Sequence, residues 1–78
     1  MTKTIYTLAL NFNHRQQIKV CEYNGFHLAR QAKGSHEIWE HTDGRQIVLT
    51  QSIKGTTFAA ICRQNKFVFV DAKGRKVY

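Results

Sequence analysis

The residues of this chain best suited to chemistry are Lys33-Gly34-Ser35-His36. A glycine turn precedes a probable strand here, so the His36 imidazole stands at the entrance of that strand. Histidine takes up and releases protons near neutral pH, which suits general acid–base catalysis. Lys33 and Arg30 lie beside the turn and could stabilise negative charge on a reacting phosphate. The competing interpretation is a histidine that is structural or simply exposed.

General acid–base catalysis needs one group that takes a proton and another that gives a proton to the leaving group. His36 supplies one of them. His41 lies five residues further along the same strand and therefore on its other face. His14 and His27 have no visible partner and are predicted to be surface residues. Because no Cys or Asp completes a ligand set, we predict neither a metal site nor a cofactor.

Charge and composition point to a polyanionic partner. The 78 residues carry a net charge of +7, with the basic residues spread along the chain rather than held in a tail. Such a surface favours binding to RNA, DNA or an anionic membrane surface. The alternative is a soluble basic domain with no such partner. No apolar run is long enough for a membrane span or a signal peptide, so we expect a cytoplasmic protein.

Hydrophobic periodicity predicts an α+β fold with one domain over residues 1–78. The predicted elements are a strand at 2–10, a helix at 14–24, strands at 26–31, 35–41 and 45–52, a helix from 56 or 57 to about 65, and a hairpin at 67–78. Without the first strand and the hairpin, the order is helix, three antiparallel strands, helix. With both helices on one face of the sheet, this is the α-β-β-β-α layout of the double-stranded-RNA-binding fold. Cys21 and Cys62 fall in apolar helical patterns and are predicted to be small core residues.

The turn between the second and third core strands decides which way His36 faces. A two-residue Asp43-Gly44 loop would pair Ile38 with Leu49 and bring His36 onto the core face. A three-residue loop, with a type I turn and Gly44 closing a bulge, pairs Trp39 with Ile47 and leaves His36 on the open face. Thr42-Asp43 suits a type I turn, so we predict the second register. Trp39 is then a core residue rather than a base-stacking platform.

Several stretches resemble the HicA toxin family. They are residues 18–26, Arg30-Gln31, 33–36 with Trp39, 43–45 with Ile47 and Leu49, and 55–64. The resemblance covers roughly residues 13–66, and Gly34-Ser35-His36 is its most specific part. It implies a double-stranded-RNA-binding-like fold and a messenger-RNA interferase that works without metal. It also implies that a HicB antitoxin holds the protein inactive and that the histidine of Gly-Ser-His, here His36, performs cleavage.

On this resemblance we expect the RNA backbone to be contacted by Arg30, Lys33, Ser35, Arg45 and Lys54. The family usually carries Pro-x-His near the end of its third strand, where this chain has Leu49-Thr50-Gln51-Ser52. That departure favours a second hypothesis, a non-catalytic module that binds RNA or a ribonucleoprotein. This class includes inhibitors carried by mobile elements. A third hypothesis is a protein-interaction domain that uses its added edge strands. The oligomeric state and the identity of any protein partner stay open.

Overall fold

Two helices and three strands form in the predicted α+β order, as seen in a computed structural model that describes residues 5–78. A short 3₁₀ helix, Tyr6–Asn11, comes first. It is followed by α1 (His14–Tyr23), β1 (Phe26–Gln31), β2 (Glu37–His41), β3 (Gln46–Leu49) and α2 (Gly55–Gln64). The strands form one antiparallel sheet in the order β1-β2-β3. In the part of the chain that is described, no helix is long and apolar enough to cross a membrane.

Local sequence signals fix both ends of α1. The Asn13 side chain accepts from the Gln16 backbone N–H at 2.8 Å, and the Gln16 side chain accepts from the Asn13 backbone N–H at 2.9 Å. This capping box satisfies two donors that the first turn leaves free. Gly25 follows the helix at φ +89°, the left-handed conformation that favours glycine. A side chain at Gly25 would also collide with the His41 ring.

The β2–β3 turn has the predicted three-residue geometry. Gly44 has φ +97°, its N–H donates to the His41 carbonyl, and Trp39 pairs with Ile47. Trp39, Ile47 and Leu49 are therefore buried on the face covered by the helices. The opposite side, called the open face below, carries Ile38 and Val48.

The prediction of an N-terminal strand is wrong for the part of it that is described, and residues 1–4 lie outside the described range. Residues Tyr6–Asn11 form a 3₁₀ helix instead. Tyr6 and Ala9 pack into the core together with Phe12, whereas Leu8 stays exposed. This spacing of three matches the 3₁₀ repeat. The chain therefore uses its three-residue periodicity, not the alternation of Tyr6 and Leu8.

The 3₁₀ helix meets α2 at Gly55. A Cβ at Gly55 would overlap the backbone carbonyl of Leu10. Glycine to alanine ordinarily stabilises a helix interior, but overpacking costs about 1–3 kcal/mol. We expect Gly55→Ala to lower the free energy of unfolding, measured by urea denaturation. Thr56→Ala, an exposed change in the same helix turn, is the control and should be neutral or slightly stabilising. A Gly55→Ala protein as stable as the native one would contradict this packing.

The C-terminal segment turns as predicted, but within residues 5–78 it forms only a single β-bridge, between Val70 and Lys76. It lies on the helix side of the domain and does not join the sheet. The Asn24 side chain holds it by accepting from the Val68 N–H at 2.9 Å and donating to the Val68 carbonyl at 3.0 Å. The open face therefore stays uncovered by this segment.

The end of α2 directs that segment into the core. Lys66 adopts a left-handed conformation at φ +54°. The Phe67 N–H donates to the Cys62 carbonyl at 2.9 Å and the Lys66 N–H to the Arg63 carbonyl at 3.3 Å. These two bonds form a Schellman motif. As a result Phe67 is 1% exposed and its ring lies 5.4 Å from that of Phe26.

Cys21 and Cys62 are buried free thiols, which confirms the prediction that they are core residues. Burial raises the pKa of Cys62 to about 12 and also shifts the pKa of Cys21 upward. Both thiols are thus protonated at neutral pH. A thiol, unlike a thiolate, is a poor nucleophile, so neither cysteine is a candidate for catalysis.

Candidate nucleic-acid interface

His36 lies in the loop that leads into β2 rather than in the strand itself. The strand was predicted from residue 35, but β2 begins at Glu37. Gly34 makes the turn at φ +73°, and the Ala32 N–H donates to the His36 carbonyl at 2.8 Å to close the loop. The backbone of His36 is therefore fixed to the residue that follows β1, while its side chain stays exposed. This confirms the prediction that His36 faces outward.

One nitrogen of the His36 ring is held by the loop. Nδ1 lies 3.1 Å from the Lys33 carbonyl oxygen. A carbonyl can only accept a hydrogen bond, so in this contact Nδ1 carries the hydrogen and donates it. In the neutral ring that assignment leaves Nε2 with its lone pair. The loop thus orients the imidazole and leaves Nε2 as the nitrogen able to take a proton.

A shallow groove of about 610 Å³ lies beside His36 on the open face. Its rim is formed by residues 32–36, and its floor is formed by Ile38 and Val48. Ile38 and Val48 are direct partners across β2 and β3. Among the described residues that line the groove, His36 is the one histidine and Lys33 the one cation. A second depression, of about 250 Å³, lies between the 3₁₀ helix and α2 on the helix side.

A β-bulge brings Arg30 onto the same face as His36. Leu28 pairs with Trp39, but the register shifts after it, so Arg30 pairs with Ile38. Without the shift, Arg30 would share the face of Leu28, because residues two apart on a strand point to the same side. Bulges commonly re-aim a side chain in this way. Arg30 is exposed and lies two residue pairs from His36 along the sheet.

Arg45 is placed elsewhere. Its Nε lies 2.8 Å from Asp43 Oδ2, its Nη1 donates to the Asn65 carbonyl at 3.2 Å, and its guanidinium lies 5.3 Å from the centre of the Phe26 ring. The Arg45 backbone N–H, which donates to Asp43, is the main cause of the lowered pKa of that carboxyl. These contacts hold the Arg45 side chain on the helix-covered face. It also lies at the far end of β2 from His36, roughly 17 Å along the strand.

The structure therefore brings together only part of the predicted set. Arg30, Lys33, Ser35 and His36 are all exposed at one end of the open face. Lys54 is exposed at the residue before α2 and is not among those that line the groove. The sequence thus places Lys33, Ser35 and His36 in one loop, but it could not separate near cations from distant ones.

A polar cluster behind the loop was missed. On the helix-covered face, Glu37 accepts from the Trp39 indole N–H at 3.2 Å and lies 3.7 Å from His14 Nε2. The side chain of His14 is only 23% exposed, so its description as a surface residue is wrong. His14 Nδ1 and Gln17 Oε1 are buried with no hydrogen-bond partner among residues 5–78. The cluster ties α1 to the first residue of β2, directly after His36.

No set of three or more His, Cys, Asp or Glu side chains within residues 5–78 is close enough to hold a metal ion. The acidic groups near the open face are few. Glu40 accepts from the Gln46 side chain at 3.3 Å. The groove is thus aliphatic at its floor and basic at its rim.

The fold and the exposed groups of the open face together define a class of protein. It is an α+β domain with the layout of double-stranded-RNA-binding domains and an exposed histidine beside two basic residues on its open face. The family model for the HicA toxin of bacterial toxin–antitoxin systems matches residues 15–67. Because the match spans most of the chain, the protein belongs to the HicA toxin family, and the resemblance is confirmed. Members of this family normally pair with an antitoxin. No curated protein and no solved structure matches the chain.

Proposed function

We propose that this protein is a metal-independent endoribonuclease that cleaves messenger RNA, with His36 as its general acid–base group. The observation that carries the proposal is the 3.1 Å contact between His36 Nδ1 and the Lys33 carbonyl. It holds the ring with Nε2 unprotonated in the neutral state, beside a groove with Lys33 on its rim and Arg30 on the neighbouring strand. A positioned base next to cations is what metal-free phosphodiester cleavage requires.

The chemistry assigned to His36 starts at the 2′-hydroxyl of the substrate. Nε2 takes the 2′-hydroxyl proton, and the 2′-oxygen forms a bond to the adjacent phosphorus. The bond from phosphorus to the 5′-oxygen then breaks, and water protonates that leaving oxygen. The products are a 2′,3′-cyclic phosphate and a 5′-hydroxyl. Lys33 and Arg30 oppose the negative charge on the phosphorane. With one histidine for two proton transfers, the enzyme is slow.

The phosphate contacts assigned to the RNA backbone come from Arg30, Lys33 and Ser35, which flank His36. Lys54 is exposed and extends the basic surface. Arg45 is left out of this set, because its guanidinium already contacts Asp43 and Asn65. The net charge of +7 adds long-range attraction for RNA. We assign the protein to the cytoplasm, where messenger RNA is available, with a HicB-like antitoxin as its inhibitor.

The test is cleavage of a mixed-sequence single-stranded RNA by the purified protein in EDTA. We expect fragments with 2′,3′-cyclic phosphate and 5′-hydroxyl ends, and no cleavage of DNA of the same sequence, which lacks the 2′-hydroxyl. RNA that is bound but not cut would favour the non-catalytic module. That alternative draws support from the single histidine of the groove and from Leu49-Thr50-Gln51-Ser52 in place of Pro-x-His. A protein that binds no RNA would favour the protein-interaction domain.

A further inference from the structure

The floor of the groove has a composition that phosphate binding does not explain. Ile38 and Val48 are paired across the strands, and the side chains of such partners lie next to each other. Val48 is 46% exposed, because the core lies on the other face of the sheet. The pair therefore presents a small, flat aliphatic surface to solvent. A phosphate gains nothing from such a surface, whereas a nucleobase has an apolar face that does.

The charges around this floor select a polyanionic ligand. Lys33 stands on the rim, and Arg30 lies directly opposite Ile38 on β1. Glu40, on the same face, is partnered by Gln46. An anionic group bound at the rim thus sits next to the aliphatic floor. Of the common cellular polyanions, nucleic acids join phosphates to flat apolar rings at this short range.

We propose that the Ile38–Val48 floor is a subsite for one unstacked nucleobase of single-stranded RNA, next to the phosphate held at Lys33 and His36. The inference rests on the proposed function and adds that the RNA substrate is single-stranded. Apolar side chains commonly receive bases removed from the stack, and in a duplex the base faces are already covered. Ile38 and Val48 offer no side-chain hydrogen-bond groups, so the subsite accepts all four bases.

The test measures binding with RNA that cannot be cut. Fluorescently labelled 2′-O-methyl oligonucleotides of about four nucleotides suit a site of this size, and they lack the 2′-hydroxyl that cleavage needs. We expect Val48→Asp to weaken binding by roughly tenfold or more, since a base no longer packs on the floor. Val70→Asp is the matched control, because Val70 is 41% exposed on the C-terminal segment. It introduces the same charge and should weaken binding by no more than about threefold.

Three results would overturn the subsite. One is equal weakening by Val48→Asp and Val70→Asp, and another is a 2′-O-methyl duplex that binds as tightly as the single strand. A third is a preference of more than about tenfold among homopolymers of the four bases. Val48→Thr keeps the side-chain volume and should weaken binding less than Val48→Asp, which covers the case in which the aspartate variant does not fold.

Cleavage of unmodified RNA, measured in parallel, separates this inference from the proposed function. If the native protein cuts RNA but Val48→Asp and Val70→Asp weaken binding equally, the subsite fails and the ribonuclease stands. If the binding pattern is as expected but unmodified RNA is not cut, the subsite stands and the catalytic proposal fails.

Discussion

His36→Ala is expected to lower the rate of RNA cleavage by about 10²–10⁴-fold, the usual contribution of a positioned proton-transfer group. Binding of 2′-O-methyl RNA should change by no more than about threefold, because in the proposed complex Lys33 and Arg30 still contact phosphate. The variant is also expected to fold, since the His36 side chain is exposed and the hydrogen bond it makes within residues 5–78 is to its own loop. Cleavage is followed on a labelled RNA in EDTA under single-turnover conditions.

His27→Ala is the matched control for contaminating nuclease and for loss of an imidazole as such. His27 is exposed on the same open face, opposite Glu40, four residues along the sheet from the His36 end. Its variant should cut RNA at the native rate. Equal cleavage by the native protein and by His36→Ala would remove His36 from catalysis. Equal losses in the two histidine variants would point to a general effect of the open face.

The position of His36 could be predicted because it depends on local signals. The Asp43-Gly44 turn favours a type I geometry, and strand pleating then fixes the face of every residue in β2. Choosing the three-residue loop therefore placed Trp39 inside. It also placed His36 outside, and the structure has it exposed in the loop directly before β2.

The position of Arg30 could not be predicted in the same way. Its face depends on the bulge after Leu28, and no glycine or proline marks that bulge in the sequence. Arg45 shows the complementary difficulty. Its charge counts toward the total of +7, but its hydrogen bond to Asn65 and its contact with the Phe26 ring come from tertiary structure. Net charge alone cannot tell a cation that is available to RNA from one that is already paired.

The same difference between local and long-range signals separates α1 from the first segment of the chain. The capping box of α1 involves residues three apart, so the sequence contains all of it. The first segment contains both an alternation and a spacing of three, and each is compatible with a different conformation. The packing partner decides between them: the Leu10 backbone lies against Gly55, a contact between residues distant in sequence.

Phe69→Ala is expected to destabilise the whole domain by about 3–5 kcal/mol, as is typical of a buried phenylalanine replaced by alanine. Phe69 is 4% exposed, and its ring lies 5.9 Å from Tyr6, 5.4 Å from Phe12 and 6.2 Å from Tyr78. Small domains are stable by only about 5–15 kcal/mol, so this loss is a large share of the total. Urea denaturation followed by circular dichroism measures it.

This prediction tests our proposal that residues 1–78 fold as a single domain. Phe69 lies beyond the family match, which ends at residue 67. If the C-terminal segment were an appendage, Phe69→Ala would leave the unfolding midpoint where it is. Val70→Ala is the control on the neighbouring residue, because its side chain is 41% exposed and surface changes of this kind stay within about 0.5 kcal/mol. A large effect at Phe69 with almost none at Val70 means that the sheet next to the His36 loop depends on a segment outside the family match. A fragment of residues 15–67 would then not retain the open face.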